Sequence, residues 1–285
     1  MISGIINVLK PAGMTSNQVL SHIKKVLHPN KIGHLGTLDP SAVGVLPVCI
    51  NKATKLFDLY LKKDKEYKAI FAFGKTTDTF DSDGLITKID NKTITESQIK
   101  AVLPKLIGKI NQIPPKFSAK NINGVRAYEL ARQNVDFEVK PKLIEIYDIE
   151  LVEKIKENTF LFDIKCSSGT YIRSIVRDMA ELLETCGYMA GLIRTKSGNF
   201  DIENSVKLDD ITENSILPLK KVLIDRKNVF VNDEFYDKIT NGCSIKTIEN
   251  DVENCVVICK DEIIGLGDIK NNVLKLHTYL KENQW

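Results

Sequence analysis

Apolar residues at helical spacing predict several helices before residue 190. Residues 15–18 (T-S-N-Q) form a capping box, and the apolar positions after it are Val19, Leu20, Ile23, Val26 and Leu27. A second capping box at residues 95–98 predicts a helix that Pro104 disturbs. A third helix, with Gly187 as its expected C-cap, follows from the stripe Ile172, Ile175, Val176, Met179, Leu182 and Leu183. Residues 53–63 are expected to form a further short helix.

Alternating apolar and polar positions predict strands between these helices. In residues 66–74 (E-Y-K-A-I-F-A-F-G) the side chains of Tyr67, Ala69, Phe71 and Phe73 fall on one face. Residues 143–155 and 159–166 have the same character. Because strands and helices neither alternate regularly nor separate fully, the pattern favours the α+β class.

The apolar pattern changes around residues 217–228, and the residues after this point are predicted to form short strands. Those strands are expected at residues 228–231, 243–248, 254–259 and 262–267. The chain is therefore expected to hold a domain at 1–221 and a small β-rich domain at 222–285. Residues 113–142, which include I-P-P-K-F-S-A, are expected to form a loop-rich basic insertion in the first domain.

Composition and charge narrow the class of protein. The chain is 43% hydrophobic and 27% charged, as in folded globular proteins rather than disordered ones. It has no apolar run of about 18 residues and no start typical of a signal peptide, so a cytoplasmic protein without membrane spans is expected. In residues 1–60 six lysines face two aspartates, a net charge of +4. This excess suggests an anionic ligand such as RNA or DNA, although a solvated lysine-rich face is also compatible with it.

Two features resemble metal or disulfide sites, and simpler interpretations are favoured for both. Six cysteines lack a C-x-x-C pair, and Cys255 and Cys259 lie on one face of a predicted strand, as buried thiols do. Residues 79–84 (T-F-D-S-D-G) resemble part of a calcium loop. However, position one is Thr and position twelve is Asp, so a loop with Asx-turns is the better interpretation.

The stretch at residues 33–47, G-H-L-G-T-L-D-P-S-A-V-G-V-L-P, places one carboxylate in a tight and mostly apolar loop. A compact turn starting at Asp39-Pro40 would explain the sequence without any chemistry. The chain lacks a nucleophile elbow, a zinc signature and a Gly-Lys phosphate cradle. If the protein is an enzyme, Asp39 is therefore expected to work without a metal.

An ordered set of motifs resembles the TruB family of bacterial tRNA pseudouridine-55 synthases. Besides the loop at 33–47, the matching stretches are V-L-K-P-A-G-M-T-S (8–16), K-E-Y-K-A (65–69), G-K-T-T-D-T-F-D-S-D-G (74–84), residues 113–132, S-S-G-T-Y-I-R-S (167–174) and A-G-L-I-R-T (190–195). They follow the family order over nearly the first 200 residues. One such motif would be weak evidence for the family, but the ordered set is specific to it.

The resemblance implies a fold, a reaction and a partner. The fold would be a pseudouridine-synthase core on a mixed, mainly antiparallel sheet with flanking helices, followed by a PUA-like RNA-binding domain. The enzyme would isomerise a flipped-out T-loop uridine, breaking its N1–C1′ bond and rejoining the base through C5. The expected partner is the T-arm of tRNA. No cofactor, metal or obligate protein partner is expected, and the protein is expected to be a monomer.

The resemblance also assigns roles to individual residues. Asp39 matches the essential aspartate, Tyr67 the tyrosine that stacks on the target base, and Arg173 the arginine that pairs with the aspartate. The remaining residues are expected to contact the substrate or the cleft: His34, Lys10, Leu192, Lys116, Lys120, Arg126 and Arg132. Glycosidases use two carboxylates because they activate water, whereas an isomerase must exclude water, so one carboxylate in an apolar loop suits the reaction.

Two other functions remain compatible with the sequence. A non-catalytic RNA-binding or tRNA-folding module would also carry the basic segments and the β-rich tail. Such a module would not need Asp39, Tyr67 and Arg173 together. A guide-RNA-dependent pseudouridine synthase would share the core but carry a fuller tail and work with partner proteins.

Overall fold

The computed structural model describes residues 2–61, 63–122, 124–133 and 135–281. In these residues the α-helices α1–α7 are Ser16–Leu27, Phe57–Leu61, Glu96–Val102, Ala127–Arg132, Ile172–Leu182, Leu219–Val222 and Tyr236–Thr240. The strands β1–β10 are Gly4–Lys10, Ile32–His34, Val43–Ile50, Lys65–Phe73, Lys75–Thr77, Ile86–Ile89, Gly108–Gln112, Asn121–Ile122, Val125–Arg126 and Lys142–Lys156. The strands β11–β20 are Thr159–Cys166, Gly187–Ser197, Phe200–Asp201, Val206–Lys207, Leu217–Pro218, Asn228–Phe230, Ile245–Lys246, Val252–Cys259, Glu262–Lys270 and Val273–Tyr279.

A large mixed sheet forms the first part of the molecule, in the order β14-β1-β3-β12-β4-β11-β10-β7. Most neighbours are antiparallel, and the β1/β14 and β3/β12 pairs are parallel. Strand β4 lies inside the sheet between β12 and β11, and its predicted alternation is confirmed. Its face of Tyr67, Ala69, Phe71 and Phe73 is buried at 7, 0, 0 and 5% exposure. The α+β prediction is thereby confirmed.

Both predicted capping boxes are present. Thr15 caps α1 with Gln18 as its reciprocal partner, and Thr95 caps α3 with Gln98. Helix α3 passes into a 3-10 helix, Leu103–Leu106, at Pro104, because proline cannot donate the next α-helical hydrogen bond. Residues 53–63 begin in a 3-10 helix, Asn51–Leu56, and continue as α2; Lys62 lies outside the described residues.

The prediction that Gly187 caps the helix at 172–183 is wrong. Helix α5 ends at Leu182, and Glu184 rather than a glycine takes the left-handed backbone, with φ of 53°. Gly187 instead starts β12, where a Cβ would lie 3.0 Å from Phe73 Cδ1 and 3.2 Å from Ala180 Cβ. The glycine therefore serves close packing between the helix and the sheet.

The C-terminal strands form a five-stranded sheet in the order β16-β18-β19-β20-β17. The predicted β-rich character is confirmed, and β20 is a strand that the sequence pattern did not indicate. This sheet shares an apolar cluster with the first part of the chain: Ile5, Val45, Leu56, Tyr60 and Phe200 pack with Val222, Leu223, Val256, Leu266 and Leu280. The domain boundary between 221 and 222 stays a prediction, and it falls at the edge of this shared cluster.

The remaining structural predictions concern the cysteines, the basic insertion at residues 113–142 and membrane-spanning segments. The six cysteines are all free, and Cys255 and Cys259 are buried as expected. Residues 113–142 contain the β8–β9 hairpin and α4 within a loop-rich segment. In the described part of the chain, no helix is long and apolar enough to cross a membrane, and no three metal-ligating side chains cluster.

Candidate active site

The loop between β2 and β3 carries Asp39. Leu35, Leu38 and Ala42 anchor it, each at most 4% exposed, whereas the Asp39 side chain is 31% exposed. Ala42 N–H donates to the Asp39 carbonyl at 3.1 Å and closes the turn predicted at Asp39-Pro40. Burial of the apolar residues thus leaves the carboxylate at the surface of the loop.

Buried polar side chains hold the backbone of this loop. Ser16, at the start of α1, accepts from Leu38 N–H at 3.0 Å, and its hydroxyl donates to the Leu38 carbonyl at 3.1 Å. Gly13 N–H donates to the Pro40 carbonyl at 2.9 Å. The motif at residues 8–16 therefore supports the loop at 33–47 from beneath, which explains why both occur in the same chain.

Lys10 lies under the loop and not on an open wall of the cleft. Its side chain is fully buried, and Nζ donates to the carbonyls of Pro11, Met14 and Pro40 at 2.7, 2.6 and 3.1 Å. Burial lowers the pKa of Lys10 to about 8, and the nearby Asp39 charge acts in the opposite direction. The structure thus gives Lys10 three protein partners, while its predicted contact with substrate stays a prediction.

Replacement of Lys10 distinguishes support of the loop from RNA contact. Lys10→Met leaves three buried carbonyls without their donor, so we expect the free energy of unfolding to fall by about 1–3 kcal/mol. Urea unfolding measures this loss, and the exposed Lys207→Met in β14 is the matched control. A Lys10→Met protein of unchanged stability that binds tRNA more weakly would make Lys10 an RNA ligand instead.

Arg173 binds Asp39 side-on. Its Nε lies 2.9 Å from Asp39 Oδ2, and its Nη2 donates to Oδ1 at 3.0 Å. Nη2 also donates to the Phe117 carbonyl at 3.0 Å, and Nη1 donates to the Thr79 carbonyl at 3.2 Å. Nη1 is 3.4 Å from Asp81 Oδ2. The guanidinium therefore lies between two carboxylates, and the predicted pairing with Asp39 is present in the structure.

Arg173 lies in the first turn of α5, and the contacts of this turn fix its position. The Gln112 side chain accepts from Tyr171 N–H at 2.8 Å and donates to the Tyr171 carbonyl at 3.1 Å. One residue past Arg173, the Ser174 hydroxyl donates to the Ile113 carbonyl at 2.8 Å. The first turn of α5 is thus fixed to β7 and to the start of the basic insertion.

Asp81 is the main site residue that sequence reasoning missed. It lies in the stretch T-F-D-S-D-G, where the Asx-turn interpretation is confirmed by an Asp83 N–H bond to Asp81 Oδ1 at 3.1 Å. Asp81 is 5% exposed, and burial raises its pKa. Its second oxygen faces Arg173. The signal was its place within a family motif, which its likeness to a calcium loop obscured.

Tyr67 projects from β4 and is 7% exposed. In the sheet register Tyr67 pairs with Arg194 of β12, and the charge of that guanidinium acts on the phenol. Burial raises the pKa of Tyr67 to about 12, so the phenol is protonated at neutral pH. Leu192, two residues before Arg194, is half-buried and packs against two apolar clusters, one that contains Ala69 and one that contains Ala42.

His34 ends β2, directly before the loop. Its Nδ1 is buried, and no described residue gives it a hydrogen-bond partner. Burial lowers the pKa of His34, and the positive charge of Arg194 lowers it further, so the imidazole is neutral at neutral pH. The ring is therefore a neutral hydrogen-bonding group at the edge of the Asp39 loop.

The four predicted basic contacts lie together in the insertion. Lys116 pairs with Asp136 at 3.0 Å, and Lys120 donates to the Lys140 carbonyl at 2.7 Å. Arg126 donates to the Ala119 carbonyl at 2.7 Å, and the Arg132 guanidinium lies 5.6 Å from the centre of the Tyr128 ring. The Phe117 carbonyl in the same segment accepts from Arg173. The insertion therefore adjoins the Asp39–Arg173 pair.

Family models match this chain over residues 24–224. A model described as TruB family pseudouridylate synthase, N-terminal domain, matches residues 24–172, and one described as tRNA pseudouridylate synthase B C-terminal domain matches residues 173–224. The chain belongs to the TruB family. Asp39 and Tyr67 fall in the first match, and Arg173 is the first residue of the second.

Curated relatives and solved structures agree with this assignment. The chain is 41% identical to the tRNA pseudouridine synthase B of Caldanaerobacter subterraneus, covering 93% of this chain and 95% of that protein. It is 38% identical to the protein of the same name in Alkaliphilus oremlandii, covering 95% and 94%. A Cbf5-Nop10-Gar1 complex contains a chain 26% identical, with a TM-score of 0.73, covering 99% of this chain and 86% of that chain. An H/ACA RNP bound to a substrate RNA containing 2′-deoxyuridine contains one 25% identical, with a TM-score of 0.71 and the same coverage.

Proposed function

We propose that this chain is a tRNA pseudouridine synthase that isomerises the T-loop uridine at tRNA position 55. The observation that carries the proposal is the side-on Asp39–Arg173 pair, with Asp39 partly exposed on an otherwise apolar loop. Membership of the TruB family and the names of the curated relatives support the same substrate. The reaction breaks the N1–C1′ bond and forms a C5–C1′ bond, and the hydrogen on C5 is replaced while N1 becomes an N–H.

Asp39 supplies the carboxylate of this reaction. It acts on the ribose, either by attack on C1′ or by removal of a ribose proton. Arg173 holds both carboxylate oxygens, so the orientation of Asp39 is set before the substrate arrives. The apolar side chains of the loop keep water away, which matters because water would convert the isomerisation into hydrolysis.

Tyr67 offers its ring to the flipped uracil. Because the phenol is protonated at neutral pH, it donates a hydrogen bond more readily than it accepts the C5 proton. Stacking on the base is therefore the role that its environment supports best. His34, with a neutral ring at the edge of the Asp39 loop, is suited to hydrogen-bond the rearranged target loop.

Base flipping costs a few kcal/mol, which RNA contacts must offset. Two basic regions supply such contacts. The insertion places Lys116, Lys120, Arg126 and Arg132 beside the cleft. At the end of α1 and after β3, among the described residues, no carboxylate lies within ion-pair distance of Lys24, Lys25, Lys31, Lys52 or Lys55. Such a basic surface recognises the shape of the RNA and its splayed loop bases rather than the sequence of a duplex.

Neutralising the insertion should weaken tRNA binding and flatten its salt dependence. For the combined change of Lys116, Lys120, Arg126 and Arg132 to Gln, the log–log slope of affinity against salt should fall by up to about 0.7–0.9 per lost phosphate contact. Filter binding at several salt concentrations measures the slope. Because Lys116 already pairs with Asp136, its share should be the smallest.

A matched control carries the same change of charge at the other end of β4. Lys75 and Lys88 lie beyond Phe73, and Lys154 and Lys156 lie level with Phe71 and Ala72, away from Tyr67. Their combined change to Gln should leave the slope nearly unchanged. Equal slopes for the insertion variant and the unsubstituted protein would place the RNA elsewhere on the molecule.

The function itself is tested on unmodified RNA. A T-arm stem-loop transcript incubated with the protein should gain pseudouridine at position 55, and a transcript with cytidine there should gain none. Bound RNA without any pseudouridine would instead indicate a tRNA-folding module. Product that appears only with a guide RNA and partner proteins would indicate the guide-dependent class.

The cellular setting follows from this function. The enzyme is proposed to act alone, as a monomer in the cytoplasm; the names of the bacterial relatives support the tRNA substrate of this proposal. Size-exclusion chromatography with light scattering tests the monomer. A stable dimer of the pure protein would contradict it.

A further inference from the structure

Arg194 is a buried cation without a carboxylate partner among the residues that the structure describes. Its side chain is 1% exposed, and burying an unpaired charge is costly unless hydrogen bonds satisfy it. Nε donates to the Val45 carbonyl at 2.7 Å, Nη1 to the Thr37 carbonyl at 3.3 Å and Nη2 to the Gly36 carbonyl at 3.1 Å. These carbonyls lie on both sides of Asp39 in the chain.

The same guanidinium belongs to the residue that pairs with Tyr67 in the sheet register, and its charge acts on the phenol. Arg194 adjoins both the loop and Tyr67 because β12 lies between β3, which follows the Asp39 loop, and β4, which carries Tyr67. In the register Arg194 faces Gly44 on one side and Tyr67 on the other. A Cβ on Gly44 would lie 2.2 Å from the Arg194 carbonyl oxygen, so the close approach of β3 and β12 requires glycine there.

We propose that Arg194 is a positioning residue for the reaction, which fixes the Asp39 loop relative to the ring of Tyr67. It acts through the planar fork of its guanidinium, which donates to three carbonyls around Asp39 from the strand position that pairs with Tyr67. The inference rests on the proposed function, because Arg194 would set the distance between the carboxylate that acts on the ribose and the ring that holds the base. Misplacement by about 1 Å can slow an enzymatic step by roughly 10²-fold.

Arg194→Lys tests the geometry while keeping the positive charge. A lysine ammonium is a point donor and cannot reproduce the planar set of bonds to three carbonyls. We expect the single-turnover rate of pseudouridine formation at saturating enzyme to fall by roughly tenfold or more, with little change in the tRNA Kd. Ile99→Val, in α3 and fully buried, is the control for a mild loss of stability. That variant should keep its single-turnover rate.

A double-mutant cycle with Tyr67→Phe separates positioning from general support of the fold. If Arg194 acts through the phenol, the double variant is slowed by less than the product of the two single effects. A merely structural arginine would give effects that multiply. Multiplying effects would overturn the proposal.

Hydrogen exchange gives a second readout that leaves residue 194 native. The amides of Leu35, Leu38 and Ala42 are hydrogen-bonded within the loop and its supports. In Tyr67→Phe they should exchange faster than in the unsubstituted protein, although Tyr67 lies outside the loop, because the phenol oxygen beside the guanidinium has been removed. Unchanged exchange in both Tyr67→Phe and Arg194→Lys would overturn the proposal. Because exchange does not depend on turnover, it stays informative if the unsubstituted protein makes no pseudouridine, a result that would contradict the proposed function alone.

Discussion

Asp39→Asn is expected to lower pseudouridine formation below detection while tRNA binding survives. The amide keeps the size of the side chain but removes the charge that acts on the ribose. Its NH₂ group also faces an N–H of Arg173, so the side-on pair cannot form as it does with Asp39. Charge stabilisation and proton transfer or covalent catalysis are each worth about 10² or more in rate. Binding depends on basic surfaces elsewhere, so its Kd should stay close to that of the unsubstituted protein.

Single-turnover assays at saturating enzyme, with filter binding on the same tRNA, measure both quantities. Asp58→Asn is the matched control, because Asp58 is the other acidic residue in the first 60 and is exposed on α2. It should keep full activity. Activity of Asp39→Asn within tenfold of the unsubstituted enzyme would contradict the assignment, and joint loss of binding and activity would make Asp39 a structural turn residue.

Arg173→Lys should reduce turnover by about 10²-fold or more. Arg173 spreads its donors over two carboxylates and two carbonyls, and its side chain is 7% exposed. Lysine keeps the charge but holds a carboxylate at one point, so the orientation of Asp39 is lost. Arg177→Lys, one turn further along α5 and 25% exposed, is the control and should keep turnover close to that of the unsubstituted enzyme.

Arg173→Met separates the electrostatic role from the geometric one. It leaves buried Asp81 and partly exposed Asp39 without their cation, so the free energy of unfolding should fall by about 3–5 kcal/mol near neutral pH. Urea unfolding measures the loss. If Arg173→Met were as stable as Arg173→Lys, the charge of Arg173 would not be holding the two carboxylates together in the folded state.

Local features of the site were predictable because the sequence carries them directly. The capping boxes at Thr15 and Thr95 are satisfied by residues three positions away, so their pattern is sufficient to place two helices. The alternation in β4 is enforced by burial of one face, which identified Tyr67 as an inward-facing residue. Family motifs then supplied the roles of Asp39 and Arg173, and the structure joins the two across 134 positions of sequence.

The supports of the site were not predictable, because they depend on contacts between distant segments. The Asp81–Arg173 contact depends on how the segment between β5 and β6 meets α5. The Arg194 bonds to the loop carbonyls and the burial of Lys10 follow from how β1, β3 and β12 assemble. A lysine in a sequence gives no sign that its ammonium will be enclosed by carbonyls. Gly187 shows the same limit, because it satisfies a C-cap pattern but is needed for packing against Phe73 and Ala180.

The shared cluster between the two parts of the chain is a further long-range feature. Val222 and Leu223 pack with residues from β1, β3 and β13, and the Tyr60 hydroxyl donates to the Val222 carbonyl at 2.5 Å. Removing residues 222–285 would expose this cluster. Substitutions on the exposed face of the C-terminal sheet are therefore a better probe of its RNA contacts than truncation.

Release of tritium from C5 of uridine tests the central claim most directly. Isomerisation replaces the C5–H bond with the new C5–C1′ bond, so tRNA labelled at uridine C5 must lose the label from position 55 as pseudouridine forms. We predict one tritium released for each pseudouridine formed, no free uracil, and no release from the Asp39→Asn variant. Free uracil without pseudouridine would show a hydrolase, and no tritium release from bound tRNA would contradict the catalytic account altogether.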